Sequence, residues 1–332
     1  MRIVSSLPRG QGWAPVTYLG RLAARVLEAE HATFDARASK FAQIVGAAGP
    51  ARVGDGAALI LARAPYEIGP LHAAARRCFG TTRTAVWVID SFHWEWIPRW
   101  TRWMRGLEQL YVTRSEDVDV WRRKTGVPTA CLPWGTDVLG LGSAAPGRRW
   151  DVLRVGRQPP AWDDDAATAA EADRAGFAFH GRPSYELDHE RQQQLMMSWY
   201  ASTKFTLAFS NTVNPMDASR ADRAFLTARW TDALACGAVV AGIVPDTEEA
   251  RTLFAEHRLL EVPAEDRRAG TEVLRDAVRD WKPKIAAGNH RASLRTLDWR
   301  YRIERIARDF GVEAPVLQEE LAALRAELRR AA

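Results

Sequence analysis

Two α/β domains, each a Rossmann-like parallel sheet wrapped by crossover helices, are what this sequence predicts. Three observations carry the prediction. The chain has 332 residues, more than one ordinary domain holds and enough for two of about 150. Short apolar runs alternate with helical patterns from the first residues onward. A break at Leu139–Arg149, LGLGSAAPGRR, interrupts every regular pattern, and the alternation then restarts. Residues 1–142, 148–290 and a helical tail, 291–332, are the segments this implies.

The elements follow in order. Arg2–Leu7 reads as a buried strand that enters the turn Gly10-Gln11-Gly12. Val16, Leu19, Leu22, Ala23, Val26 and Leu27 then recur at helical spacing. Ala57–Leu61, Ala85–Ile89, Leu107–Thr113 and Thr129–Leu132 are further runs of strand length. Strand, helix, strand is the rhythm of a parallel sheet. Beyond the break, Asp151–Val155, Phe177–His180 and Phe205–Phe209 read as strands. A helix over Leu226–Cys236 passes through Gly237, which suits a left-handed helix end, into a strand over Ala238–Ile243. Leu259–Val262 is the last strand. From Thr271 the pattern is helical, with breaks near Pro283, Gly288 and Gly311–Pro315, and Val316–Arg330 is amphipathic. In such sheets ligands sit at the carboxyl ends of the strands, so two facing domains predict a cleft between them.

Composition narrows the class. With 47% apolar and 26% charged residues the chain is of the soluble globular kind. No apolar run reaches the roughly 18 to 20 residues that cross a bilayer, and the start lacks a signal-peptide pattern. The cytoplasm is the expected compartment. Cys78, Cys131 and Cys236 lie far apart and outline neither a disulfide framework nor a metal site. The net charge of +5 suits nucleic acid, an anionic surface, phosphorylated small molecules or plain solubility, and does not choose among them.

The residues that carry chemistry begin with LTARWTDALACGAVVAGI, Leu226–Ile243. Arg229 and Asp232 are three apart, which puts both on one helical face. An arginine fork suits a diphosphate and a carboxylate suits the hydroxyls of a ribose; the plain alternative is an intrahelical ion pair. Gly156 and Arg157 end the run DVLRVGR, and Leu132–Asp137 reads LPWGTD. Leu297–Tyr301 reads LDWRY.

This set resembles the donor-binding half of the GT-B glycosyltransferases, in particular the bacterial family 1, spore-maturation-type branch. That branch carries arginine, an aromatic and a glutamate before Ala-x-Ala-x-Gly and an apolar strand ending in a proline loop. Here the carboxylate is Asp232, the aromatic is Trp230, the glycine is Gly237 and the loop holds Pro245. A related branch has a second glutamate, whose place here is Ala224, with Asp222 the nearest acid; the lysine often found after the Gly-Arg pair is missing.

The resemblance implies an N-terminal acceptor domain and a C-terminal donor domain, with the last helices crossing back to the first. It also implies a hexosyltransferase that takes a nucleotide-sugar, with a UDP or GDP carrier, as co-substrate. No cofactor, no metal and no nucleic acid are needed, and the acceptor is a glycan, a lipid-linked or a small molecule. Arg229, Gly156 and Arg157 are then assigned to the diphosphate and Asp232 to the ribose.

In the first domain Asp90 and His93 follow a strand end and are the candidates for a base, if the reaction inverts the anomeric carbon. Gly10 and Gly12 would let backbone amides approach a phosphate or sugar, or serve a plain tight turn. Trp94–Arg105, WEWIPRWTRWMR, holds four of the fourteen tryptophans, and Trp100, Trp103 and Leu107 fall at helical spacing. It reads as a core helix, an acceptor pocket or a peripheral membrane contact. Asp163-Asp164-Asp165 contains a DxD, better explained as helix-start carboxylates than as a metal site. The alternatives of another class are a nucleic-acid-binding protein with a basic, tryptophan-rich surface, and a transferase-like subunit without activity.

Overall fold

The computed structural model describes residues 1–8, 10–36, 56–213 and 222–331. The chain divides into two compact units, Met1–Pro133 with Arg300–Leu321, and Trp134–Trp299 with Ala322–Ala332. Each is an α/β unit built on one fully parallel sheet.

The first sheet has six strands: β1 (Arg2–Ser6), β2 (Glu30–Phe34), β3 (Ala57–Ala62), β4 (Arg83–Val88), β5 (Leu107–Val112) and β6 (Thr129–Cys131). Their order is β2-β1-β3-β4-β5-β6. The central strands are continuous apolar runs because both faces are covered, as in AALILA of β3. Beside them pack Leu71 and Ala75 of the helix Ile68–Phe79 and Trp121 of the helix Asp117–Thr125. Strand β2, EHATF, gave no sequence signal. It is a half-exposed edge strand paired in parallel with β1, and the Arg2–Glu30 ion pair and the Ser5–His31 hydrogen bond link the two strands.

The second sheet has five strands: β7 (Trp150–Arg154), β8 (Phe179–His180), β9 (Thr203–Leu207), β10 (Val239–Gly242) and β11 (Leu259–Glu261), in the order β11-β10-β9-β7-β8. Its core joins Val152, Phe205, Leu207, Val239 and Ala241 to Trp162 and Leu274. Both strand orders reverse once, between β1 and β3 in the first sheet and between β7 and β9 in the second. At such a reversal the flanking connections leave to opposite faces of the sheet and open a crevice at the strands' carboxyl ends.

Three expectations are corrected. Trp94–Arg105 is not a helix. It forms two 3-10 turns, Trp94–Trp96 and Thr101–Trp103, with Pro98 between them, and Trp94 and Trp100 pack on the first core while Trp103 is 69% exposed. Proline lacks the N–H that a continuous helix requires. Gly288 does not break a helix; it lies inside Pro283–Thr296. Strand β8 spans two residues, not four. The tail forms the helices Trp299–Phe310 and Pro315–Arg330. None of the described helices is long and apolar enough to cross a membrane.

Candidate functional site

In the second unit the chain leaves β7 through Gly156, whose φ of +74° is left-handed. A Cβ there would stand 3.0 Å from Arg229 Nη1, so glycine meets both the turn and the close approach. Arg229 sits at the start of the helix Ala228–Ala235, donates from Nη1 to the Arg157 carbonyl at 3.1 Å and from Nε to the Thr227 hydroxyl at 3.1 Å. The sequence-predicted Gly156, Arg157 and Arg229 are thus brought together.

They share a small open pocket lined by Arg157, Gln158, Pro159, Phe209, Ser210, Asn211 and Arg229. It opens at the carboxyl ends of β7 and β9, the strand pair where the sheet order reverses.

Neither arginine has a carboxylate partner among the described residues. Burial, then the neighbouring Arg157 charge, lowers the Arg229 guanidinium to about 10, with Tyr200 opposing, and burial lowers Arg157 as well. Arg157 is exposed and Arg229 half-buried, so both guanidinium groups stay within reach of an anion from solvent. Thr227 caps the helix without a side-chain hydrogen bond, so the helix start adds its own positive pole.

Asp232 lies elsewhere. Its carboxyl is only 2% exposed, accepts from Gln193 Nε2 at 2.9 Å and does not line the pocket. Burial pushes it up to about 7, against the hydrogen-bonding influence of Thr136 and Gln193. Arg229 and Asp232 therefore share neither an open face nor an ion pair. The helix presents its first turn to the pocket and its next turn to the interior. Ala224 is buried and Asp222 exposed, so the second carboxylate of the related branch has no counterpart at the pocket.

Asp163 and Asp165 both pair with the buried Arg154 guanidinium, Asp163 also with Arg182 at 3.0 Å, and Asp164 caps the helix Asp165–Ala175. The acidic run is a structural clamp at a helix start.

In the first unit the carboxyl ends of β1, β3 and β4 gather a second cluster. Glu67, fully buried, accepts from the Ser6 hydroxyl at 3.0 Å, from the Arg63 backbone N–H at 2.8 Å and from Arg63 Nη2 at 2.6 Å. The Arg63 guanidinium lies 4.9 Å from the ring centre of Trp13. Asp90, half-buried, donates its backbone N–H to the Arg63 carbonyl at 2.8 Å. His93 is buried, with its ring stacked on Trp96 at 3.9 Å and tilted on Phe92 at 4.2 Å. Gly10 has a φ of +73°, which requires glycine, whereas Gly12 has open space where a Cβ would stand.

Sequence reasoning missed Gln158, Asn211, Arg63 and Glu67. The signal available was position alone: Arg63 directly follows the apolar run of β3, and Asn211 follows β9 by four residues.

Residues 144–308 match the family model described as glycosyl transferase-like. No curated protein matches the chain. Among solved structures, AviGT4, a glycosyltransferase involved in avilamycin A biosynthesis, is similar with a TM-score of 0.53 at 14% identity, over 97% of this chain and 98% of that one. A DNA-modifying β-glucosyltransferase gives 0.48 at 9% identity over 93% and 99%. CalG4, the calicheamicin glycosyltransferase, gives 0.43 at 12% over 95% and 99%. The first likeness bears on the fold, and the other two are too low to carry an argument. The glycosyl transferase-like match over residues 144–308, just under half of the chain, together with the two-sheet α/β fold, supports a transferase enzyme.

Proposed function

We propose that the protein moves a hexose from a nucleotide-sugar donor to an acceptor hydroxyl, and that Arg157 and Arg229 hold the donor's diphosphate. The observation that carries this is the pair of cations without a carboxylate partner in a pocket at the β7/β9 reversal. As the bond from the anomeric carbon to the diphosphate oxygen breaks, negative charge grows on the leaving group. Two guanidinium groups, that of Arg229 held by Thr227 and the Arg157 carbonyl, and a helix start stabilise that charge without a metal ion. Asp232 then serves the site by holding its helix against Gln193 rather than by touching the ribose.

In the first unit Asp90 is the better placed of the two base candidates. It is half-buried at a strand end, whereas the His93 ring is enclosed by Phe92 and Trp96. In an inverting reaction Asp90 would take the proton of the attacking hydroxyl. The spore-maturation-type branch is the part of the class whose motif the segment Arg229–Gly237 resembles.

Thermal unfolding with UDP-, GDP- and dTDP-sugars tests the reading. One carrier should stabilise the protein, by about 2.7 kcal/mol at a hundred times its Kd. Arg157→Ala and Arg229→Ala should each weaken that carrier's binding by about 1.5–3 kcal/mol, the worth of a charged hydrogen bond. No response to any carrier sinks the proposal.

A further inference from the structure

Leu7, Tyr66 and Trp96 are exposed apolar side chains that all follow the carboxyl ends of the first sheet, after β1, β3 and β4. Tyr66 is 51% and Trp96 40% exposed, and their ring centres are 5.8 Å apart with planes tilted by 59°. The two rings touch at the carboxyl ends of β3 and β4, one strand along from the β1/β3 reversal, on the edge of the sheet where ligands of such folds sit.

Both rings are anchored from below. Trp96 stacks on His93, and the loop carrying them is tied down through Asp117, which accepts from the Ser91 hydroxyl at 2.5 Å and from Trp94 Nε1 at 2.8 Å. Trp121 Nε1 donates to the Ser91 carbonyl at 2.8 Å. Tyr66 sits in the turn Pro65–Glu67, which Glu67 pins to Arg63 and Ser6. The exposure is therefore built on a rigid base, the condition under which stacking loses little entropy on binding.

The geometry points to a pyranose-binding platform formed by Tyr66 and Trp96, on which a sugar ring of the acceptor stacks. Two flat rings that clasp a nucleobase must lie parallel and about 7 Å apart, twice the van der Waals separation. The tilted pair at 5.8 Å offers no such slot. A pyranose needs none, because it presents a C–H face to one ring and hydroxyls at its rim. Asp90, at the same sheet edge, supplies a polar neighbour for such a rim. The inference rests on the glycosyl-transfer reading and narrows its acceptor from three classes to a carbohydrate.

The test is titration of the whole protein with methyl β-D-glucopyranoside, methyl α-D-mannopyranoside and methyl β-D-galactopyranoside. Binding is followed by tryptophan fluorescence and by saturation-transfer NMR, and thermal shifts with UDP, GDP and dTDP are read on the same samples. At least one glycoside should bind saturably, and Trp96→Ala and Tyr66→Ala should each weaken it by about tenfold. Trp96→Phe should keep most of the affinity, and Trp103→Ala, which removes an exposed ring elsewhere, should leave it unchanged. Binding of none of the three, or equal binding by the Trp96→Ala and Tyr66→Ala variants, overturns the platform. Absence of a shift with all three carriers overturns the donor reading alone and leaves the platform standing.

Discussion

Gly156 shows how one missing Cβ serves two demands. Its left-handed φ excludes side chains at about 1–2 kcal/mol, and its bare Cα lets the Arg229 guanidinium approach. Gly156→Ala should lower the melting temperature by several degrees and also weaken nucleotide binding, since the flexible arginine tip is what moves aside. A variant that loses stability and keeps full affinity would separate the two demands. Asp232 gives a prediction with a sign. Burial raises its folded-state pKa from 3.8 to about 7, so between those values the folded protein holds more protons than the unfolded chain. That group's contribution to stability therefore falls as pH rises through the window and levels off above it. The stability of Asp232→Asn relative to the parent should rise between pH 4 and pH 8. Denaturant titrations at three pH values read it, and a difference that shrinks with pH would refute the assignment.

At the scale of elements, β9 and β10 pair so closely that Gly242 is forced. Its φ is +145°, and a Cβ would fall 1.8 Å from the Ala208 carbonyl oxygen, a backbone atom that cannot yield as a side chain does. Gly242→Ala should cost about 3–5 kcal/mol, within the range of severe backbone and packing lesions, and cut the soluble yield sharply. A soluble variant with an unchanged melting temperature would contradict the register of the strand pair. The elements also show where reading the sequence works. The apolar runs of β1, β3, β4, β5 and β10 were legible because a strand covered on both faces has few polar choices. Strand β2 was not, since its single row of partners tolerates Glu30, His31 and Thr33. The Trp94–Arg105 segment misled because helical spacing of Trp100 and Trp103 is compatible with separate turns, and Pro98 decides for the turns.

At the scale of the molecule, the chain's tail completes the first unit. Tyr111 donates its hydroxyl to Asp309 at 2.8 Å, Arg302 Nε donates to the Pro133 carbonyl at 3.2 Å, and Ile303, Ile306 and Leu317 are fully buried. A chain ending at Trp299 should leave an apolar surface exposed and lose amide protection in β5, as hydrogen exchange would show. Retained protection there would mean that the tail is an accessory. The candidate site was partly legible at this scale too. Gly156, Arg157 and Arg229 are named by local pattern, but they meet only because the loop after β7 and the start of the helix Ala228–Ala235 come together in space, 72 residues apart at the Arg229–Arg157 hydrogen bond.

What the amino-acid sequence determined by itself is the kind of each element and the residue types at strand ends. Both follow from local periodicity and from which side chains can be buried. It also determined that two α/β units would form, because the apolar rhythm stops at Leu139–Arg149 and starts again. Only the tertiary structure decided the strand orders, which place the reversals at β1/β3 and β7/β9, and so decided which strand ends share a pocket. It alone decided that Asp232 turns inward while Arg229 faces the pocket, since three residues along a helix fix a spacing but not what surrounds it. The Tyr66–Trp96 pair was invisible for the same reason. Thirty residues separate the two rings in the chain, and adjacency of β3 and β4 in the sheet brings them into contact.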